Sequence, residues 1–183
     1  MPPRKSIPPS GVFLVGFMGC GKTSVGELLS RHLGWRFEDL DRRIEACEGS
    51  TIAEIFSNYG EARFRQMEHE ALLKLVDEMA SNPTVVALGG GTFVQFQNRQ
   101  LLQQLAWPTV FLDADVEELW QRCRSAQGER PLAGDENQFR QLHAARRTFY
   151  MEASVTIDTR GKDAQSVAAE IADRLNEAIP KEK

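Results

Sequence analysis

Val12-Phe13-Leu14-Val15-Gly16-Phe17-Met18-Gly19-Cys20-Gly21-Lys22-Thr23 is the stretch whose reading decides the fold. Its first four residues are apolar without interruption, as in a strand covered on both faces, and the remaining eight satisfy GxxxxGK[ST], the loop that wraps a polyphosphate. Lys22 to Leu33 then follows a helical pattern, so the loop lies between a strand and a helix, as the mechanism requires. The glycines let successive N–H groups turn into one concavity, and the helix dipole adds positive potential there. Lys22 is placed to contact the β and γ phosphates of a nucleotide and the Thr23 hydroxyl to ligate magnesium. Gly19, Cys20, Gly21, Lys22, Thr23 and Ser24 are therefore the candidate nucleotide-binding residues. This context argues against a mere glycine-rich turn.

Working outward, short apolar runs read as strands at Val12 to Val15, Arg36 to Leu40, Thr84 to Leu88, Thr109 to Leu112 and Val155 to Ile157. Helical patterns occupy Lys22 to Leu33, Ile52 to Tyr59, Glu61 to Ala80, Asp115 to Arg124, Glu136 to Tyr150 and Ala164 to Ala178. Alternating strands and helices predict an α/β fold with a parallel sheet of about five strands covered on both faces. Ligands then bind beyond the carboxyl ends of the strands. Residues 1–10, with four prolines, read as a flexible leader, and 11–183 as one domain. Ser125 to Asp135 is a polar insert carrying Gly and Pro between two helices, and Gly89-Gly90-Gly91 closes the third strand.

A chain of 183 residues suits a single domain, one that buries roughly 70% of its unfolded surface. With 42% hydrophobic and 26% charged residues the composition is ordinary for a globular protein. A net charge of -4 argues against a general nucleic-acid or acidic-membrane partner, so any anionic substrate requires cations gathered locally. Three cysteines, Cys20, Cys47 and Cys123, make neither an even disulfide set nor a CxxC pair, which fits a reducing compartment, the cytoplasm. The histidines are equally scattered, and no structural metal site is visible. Arg4 and Lys5 before an apolar run ending in Gly19-Cys20 look faintly like a lipoprotein signal, but Gly16 interrupts the run and Lys22 follows at once. No stretch approaches the ~20 apolar residues needed to cross a bilayer.

Asp39-Leu40-Asp41 ends the second predicted strand, and on an extended segment the two carboxylates share a face. One is suited to holding magnesium through water, the other to accepting or orienting the proton of an attacking hydroxyl. Val110-Phe111-Leu112-Asp113 is a rival metal-binding strand; Asp113 reads instead as a turn residue, with Asp115 and Glu118 forming a capping box for the next helix. Cys20 has two readings: a reactive thiol at a helix amino terminus beside Lys22, or a position that takes any small side chain. The second is the simpler.

Taken in order, GFMGCGKT, DLD followed by RRIE, GEARFRQME, VVALGGGT, RPLA and RRTFYMEA resemble the shikimate kinases over about Gly11 to Ala178. The resemblance implies a three-layer P-loop kinase fold with a mobile lid at about 125–135. It also implies ATP and Mg2+, and transfer of the γ-phosphate to the 3-hydroxyl of shikimate on the route to chorismate. Carried over, Asp41 binds the reacting hydroxyl and Asp39 reaches magnesium through water. Arg65, supported by Glu68, and Arg146 hold the substrate carboxylate, while Gly89, Gly90 and Gly91 let the ring approach the backbone. Arg130 in the lid reaches across both ligands, and Arg124 flanks adenine. Five residues separate Arg124 from Arg130, one fewer than the family pattern leads one to expect, which puts the adenine contact in question. The turn Thr159 to Asp163 is expected to line the adenine pocket too.

These assignments also answer the charge problem, since a guanidinium matches a carboxylate in plane and in charge. Lys22, Arg65, Arg130 and Arg146 concentrate cations on an acidic chain. For Arg65 and Arg146 the plain alternative is a solvated helix face. Two rival functions remain at this level: a gluconate or nucleoside monophosphate kinase with the same loop, and a nucleotide-gated binding protein without catalysis. The first of these, with a nucleotide as acceptor, needs a second base-binding surface, and the sequence offers none. The second typically lacks Lys22, Asp41 or Arg130, all present here. The expected working form is a monomer with shikimate and ATP as its only partners.

Overall fold

Residues 11–125 and 135–178 are described in a computed structural model of the chain. Their elements run β1 (Gly11–Val15), α1 (Lys22–Leu33), β2 (Arg36–Asp39), α2 (Leu40–Glu48), α3 (Ile52–Met79), β3 (Thr84–Ala87), α4 (Phe96–Leu105), β4 (Thr109–Asp113), α5 (Val116–Ser125), α6 (Glu136–Tyr150), β5 (Val155–Asp158) and α7 (Ala164–Ala178). The five strands form one sheet in the order β2-β3-β1-β4-β5, and every pairing is parallel. Every residue of β1 and β3 is buried, as expected for strands covered on both faces. Their apolar side chains and those of β4 form the core with Leu29 of α1, Leu72 and Leu75 of α3, and Ile171 of α7. Each such side chain contributes about 1.5–3 kcal/mol by leaving water, set against the entropy of ordering it.

The sheet order matters for function. Because β2, β3 and β1 are parallel neighbours, their carboxyl ends lie side by side about 4.8 Å apart. The three segments at these ends, Asp39–Asp41, Gly89–Gly91 and Gly16–Thr23, therefore emerge on one side of the sheet. Segments far apart in sequence meet there.

Several boundaries differ from the sequence reading. Asp39 ends β2 and Leu40 already begins α2, a helix not anticipated; Asp39 caps it by accepting from the N–H groups of Asp41 and Arg42 at 3.1 and 3.3 Å. Asp41 thus sits in a first helical turn and not on an extended segment. The two expected helices on either side of Gly60 are joined as α3, where Gly60 stands out at φ 76°, ψ 170° and kinks the axis. Thr51 and Glu54 form a capping box at the start of α3. At α5 the expected box is replaced: Asp115 accepts from the Glu117 N–H at 2.8 Å, while the Glu118 carboxylate takes Arg122 at 3.1 Å. Helix α4 was also unanticipated. Its buried face carries Asn98 and Arg99 beside Leu102, so the apolar period is weak.

Candidate active site

The phosphate loop turns on glycines that no other residue replaces cheaply: Gly19 and Gly21 have φ of 79° and 93°. Gly21 precedes α1 with no side-chain cap, leaving the helix amino terminus open to an anion. Lys22 Nζ folds back onto the loop, donating to the carbonyls of Gly16 and Phe17 at 2.9 and 3.0 Å and to Cys20 Sγ at 3.7 Å. Cys20 is buried, and its N–H donates to the Phe17 carbonyl at 3.3 Å. Thr23 Oγ1 donates to Asp39 Oδ2 at 2.8 Å, bringing a hydroxyl and a carboxylate together at the loop's edge. A pair of hard oxygens suits magnesium, which completes its shell from phosphate and water. Among the described residues no group of three or more His, Cys, Asp or Glu is placed to hold a metal.

The phosphate loop, the Asp39–Asp41 segment and the glycine run share one cleft of about 850 Å³. Lys22, Thr23, Ser24 and Asp39 line the end beside the phosphate loop, and Asp41, Arg65, Gly90, Gly91 and Arg146 its other end, with Phe56 and Phe64 as apolar walls. Asp41 is pushed up to about 6, chiefly by burial and next by the negative charges of Glu68 and Asp39, with Lys22 pulling the other way. A carboxylate held near neutrality is suited to taking a proton from a hydroxyl. Arg65 donates from Nη1 to Glu68 Oε2 at 2.5 Å and from Nη2 to Glu61 Oε1 at 2.9 Å. Glu68 is only 1% exposed; Thr92 Oγ1 and Gln95 Nε2 also donate to it, at 2.6 and 3.0 Å.

Close approach explains the glycine run. A Cβ on Gly91 would collide with the Arg65 guanidinium, and one on Gly89 would meet the Asp41, Glu68 and Thr92 oxygens within 3 Å. Gly90 faces Arg146 across ordinary contact distance, and its carbonyl accepts from the Tyr150 hydroxyl. Burial pushes the Tyr150 phenol up, so it stays protonated and remains a donor. Arg146 is 9% exposed, lies against the Phe17 ring, and has no carboxylate partner among the described residues. That leaves its charge directed into the cleft.

A smaller cavity of about 500 Å³ adjoins the first, lined by Glu118, Gln121, Arg122, Ser125, Gly161 and Lys162. Arg122 lines both cavities. Arg124 does not line either: its guanidinium lies 5.8 Å from the Trp120 ring centroid. On a helix, two residues shift the side chain by about 200°, so the two arginines leave α5 on opposite sides. Of the two arginines, Arg122 borders both cavities, while Arg124, the one singled out in the sequence, lies over Trp120. Asp113 ends β4 and is not a turn residue; its carboxylate takes Arg147 at 2.5 Å. Arg130 and the insert around it lie outside the described residues, apart from Ser125 and Asp135.

A parallel sheet with a phosphate loop at its edge and an anion-receiving cleft beside it defines a P-loop kinase for a small molecule. The sequence profile described as shikimate kinase matches residues 18–176. A shikimate kinase of Geobacter sulfurreducens is 43% identical, covering 94% of this chain and 95% of its own. The structure of an Acinetobacter baumannii shikimate kinase in complex with shikimate superposes with a TM-score of 0.86 at 35% identity, covering 96% of this chain and 97% of that one. The Aquifex aeolicus shikimate kinase gives 0.80 at 32% identity, with 92% and 97% covered. The chain belongs to the shikimate kinase family.

Proposed function

We propose that this chain transfers the γ-phosphoryl group of ATP to the 3-hydroxyl of shikimate, giving shikimate 3-phosphate and ADP, a step towards chorismate and the aromatic amino acids. The observation that carries the reading is one cleft joining the phosphate loop to Asp41, Arg65 and Arg146. Arg65 and Arg146 bind the substrate carboxylate, each charged hydrogen bond contributing about 1.5–3 kcal/mol. Asp41 orients the 3-hydroxyl and takes its proton as the oxygen attacks phosphorus. The bond from the γ-phosphorus to the bridging oxygen breaks, and ADP leaves. Lys22 releases its loop carbonyls to neutralise charge on the transferring group. Thr23, directly, and Asp39, through water, are the residues that would hold Mg2+, which supplies charge neutralisation on the β and γ phosphates. Arg130 is read as a further transition-state cation, and Arg122 in place of Arg124 as the cation beside the nucleotide. Gly161 and Lys162 line the space assigned to adenine.

The enzyme works as a cytoplasmic monomer on two small molecules, with neither nucleic acid nor membrane as partner. Residues 11–183 act as one catalytic domain. No described helix is long and apolar enough to cross a membrane. ADP release measured separately with shikimate, gluconate and AMP tests the acceptor. Release with shikimate alone is expected; release with gluconate or AMP and none with shikimate would sink the assignment.

A further inference from the structure

Arg99 is a charged side chain placed in the interior, 7% exposed, and it does not line the cleft. A buried guanidinium needs partners merely to be tolerated. The identity of these partners says more. Its Nη1 donates to the carbonyls of Phe93 and Val94 at 3.1 and 2.6 Å, its Nε to Glu152 Oε2 at 2.9 Å, and its plane lies 4.6 Å from the Phe149 ring. Phe93 and Val94 belong to the turn directly after Gly89–Gly91, whereas Phe149 lies in the last turn of α6 and Glu152 in the turn that follows it. Asn98 beside it donates to the Thr92 carbonyl at 2.9 Å and meets His69 of α3 at 2.6 Å. One dipeptide therefore joins three segments.

Each joined segment carries part of the acceptor end. The turn supplies Thr92 and Gln95, which hold Glu68, which in turn holds Arg65. Helix α6 supplies Arg146 one turn before Tyr150, and Tyr150 bonds to Gly90. We propose that Arg99 is a positioning residue for the acceptor: by clamping the glycine-rich turn to the end of α6, it sets the spacing between Arg65 and Arg146. A carboxylate gripped from two sides is sensitive to that spacing, since a displacement of ~1 Å can cost up to about 10²-fold. The nucleotide end makes none of the contacts given for Arg99, so its affinity is insulated from the clamp.

The inference rests on the proposed reading of the cleft, and Arg65→Ala serves as the control for that reading. Binding of shikimate by calorimetry, both KM values and the melting temperature are measured for Arg65→Ala, Arg99→Lys and Glu152→Gln. A lysine keeps the charge but cannot serve two carbonyls and a carboxylate in one plane. Arg99→Lys is expected to weaken shikimate binding about 10-fold or more while changing the KM for ATP by less than about twofold. Glu152→Gln, at the exposed end of the clamp, should give a smaller loss in the same direction, and it decides the matter if Arg99→Lys does not fold. Weakened binding in Arg65→Ala with normal shikimate binding in the clamp variants, or equal losses for both substrates, overturns the clamp alone. Unchanged binding in Arg65→Ala overturns the cleft reading and the clamp together.

Discussion

Thr23 Oγ1 and Asp39 Oδ2 lie 2.8 Å apart, so the end of β2 closes directly onto the first turn of α1. Asp39 performs two tasks at once: Oδ1 caps α2 and Oδ2 meets the threonine. Asn at this position keeps the cap but loses the charge. Asp39→Asn should therefore melt within ~2 °C of the parent. The Mg2+ concentration giving half-maximal rate should rise about 10-fold or more, as for an outer-shell partner. A magnesium titration beside a thermal melt checks both; an unchanged magnesium requirement would remove Asp39 from the metal site.

Asp41 should govern the acid side of the pH profile. Its carboxyl is held at about 6, and it must be ionised to accept a proton, so kcat/KM should fall as pH drops through about 6. Asp41→Asn should lower turnover by about 10² to 10⁴ and abolish that limb, with ATP binding largely intact. Stability should move oppositely. A carboxyl that titrates higher in the folded than in the unfolded chain binds extra protons when folded between about pH 4 and 6, so stability declines as pH rises through that window. Above it the ionised group costs roughly 1–3 kcal/mol, and Asp41→Asn should melt higher than the parent at pH 7.5 but not at pH 4. Identical melting differences at the two values would contradict this.

Gly91→Ala tests close approach without removing any charged group. The added methyl overlaps the Arg65 guanidinium, which must swing away from Glu68. Shikimate affinity should fall about 10- to 100-fold, the size of one charged hydrogen bond, with little change in the KM for ATP. Equilibrium titration of shikimate reads this directly, and parent-like affinity would show that the turn has room to yield.

Arg122 and Arg124 make a paired comparison on one helix. Arg122→Ala should raise the KM for ATP by roughly 3- to 10-fold, since its charge borders both cavities. Arg124→Ala, whose contact among the described residues is stacking on Trp120, should leave it within about twofold. The reverse ranking would return the nucleotide contact to Arg124.

The difference between these two arginines shows where reading a sequence stops. A motif places a residue along the chain, but which of two nearby arginines faces the cleft depends on the rotation of α5 against its neighbours. Helix α2 is hidden because Asp39-Leu40-Asp41 also fits a strand end, though an Asp at the cap position, Leu40 and Ile44 four apart, and a glycine, Gly49, just past its close are signals in the sequence. Helix α4 offered less, because a buried Arg99 and Asn98 disguise its inner face as an outer one.

The phosphate loop, the alternation of strands and helices, and the order of the motifs from GFMGCGKT to RRTFYMEA were all determined by sequence alone. They depend on local backbone geometry and on burial patterns that repeat over a few residues. Tertiary structure decided the rest: that Asp41 is buried beside Glu68 and pushed up to about 6, that Gly91 lies against Arg65, and that Arg99 joins the glycine-rich turn to α6. Each of these is a distance between segments tens of residues apart. Such distances exist only once β2, β3 and β1 have aligned and brought their carboxyl ends to one edge.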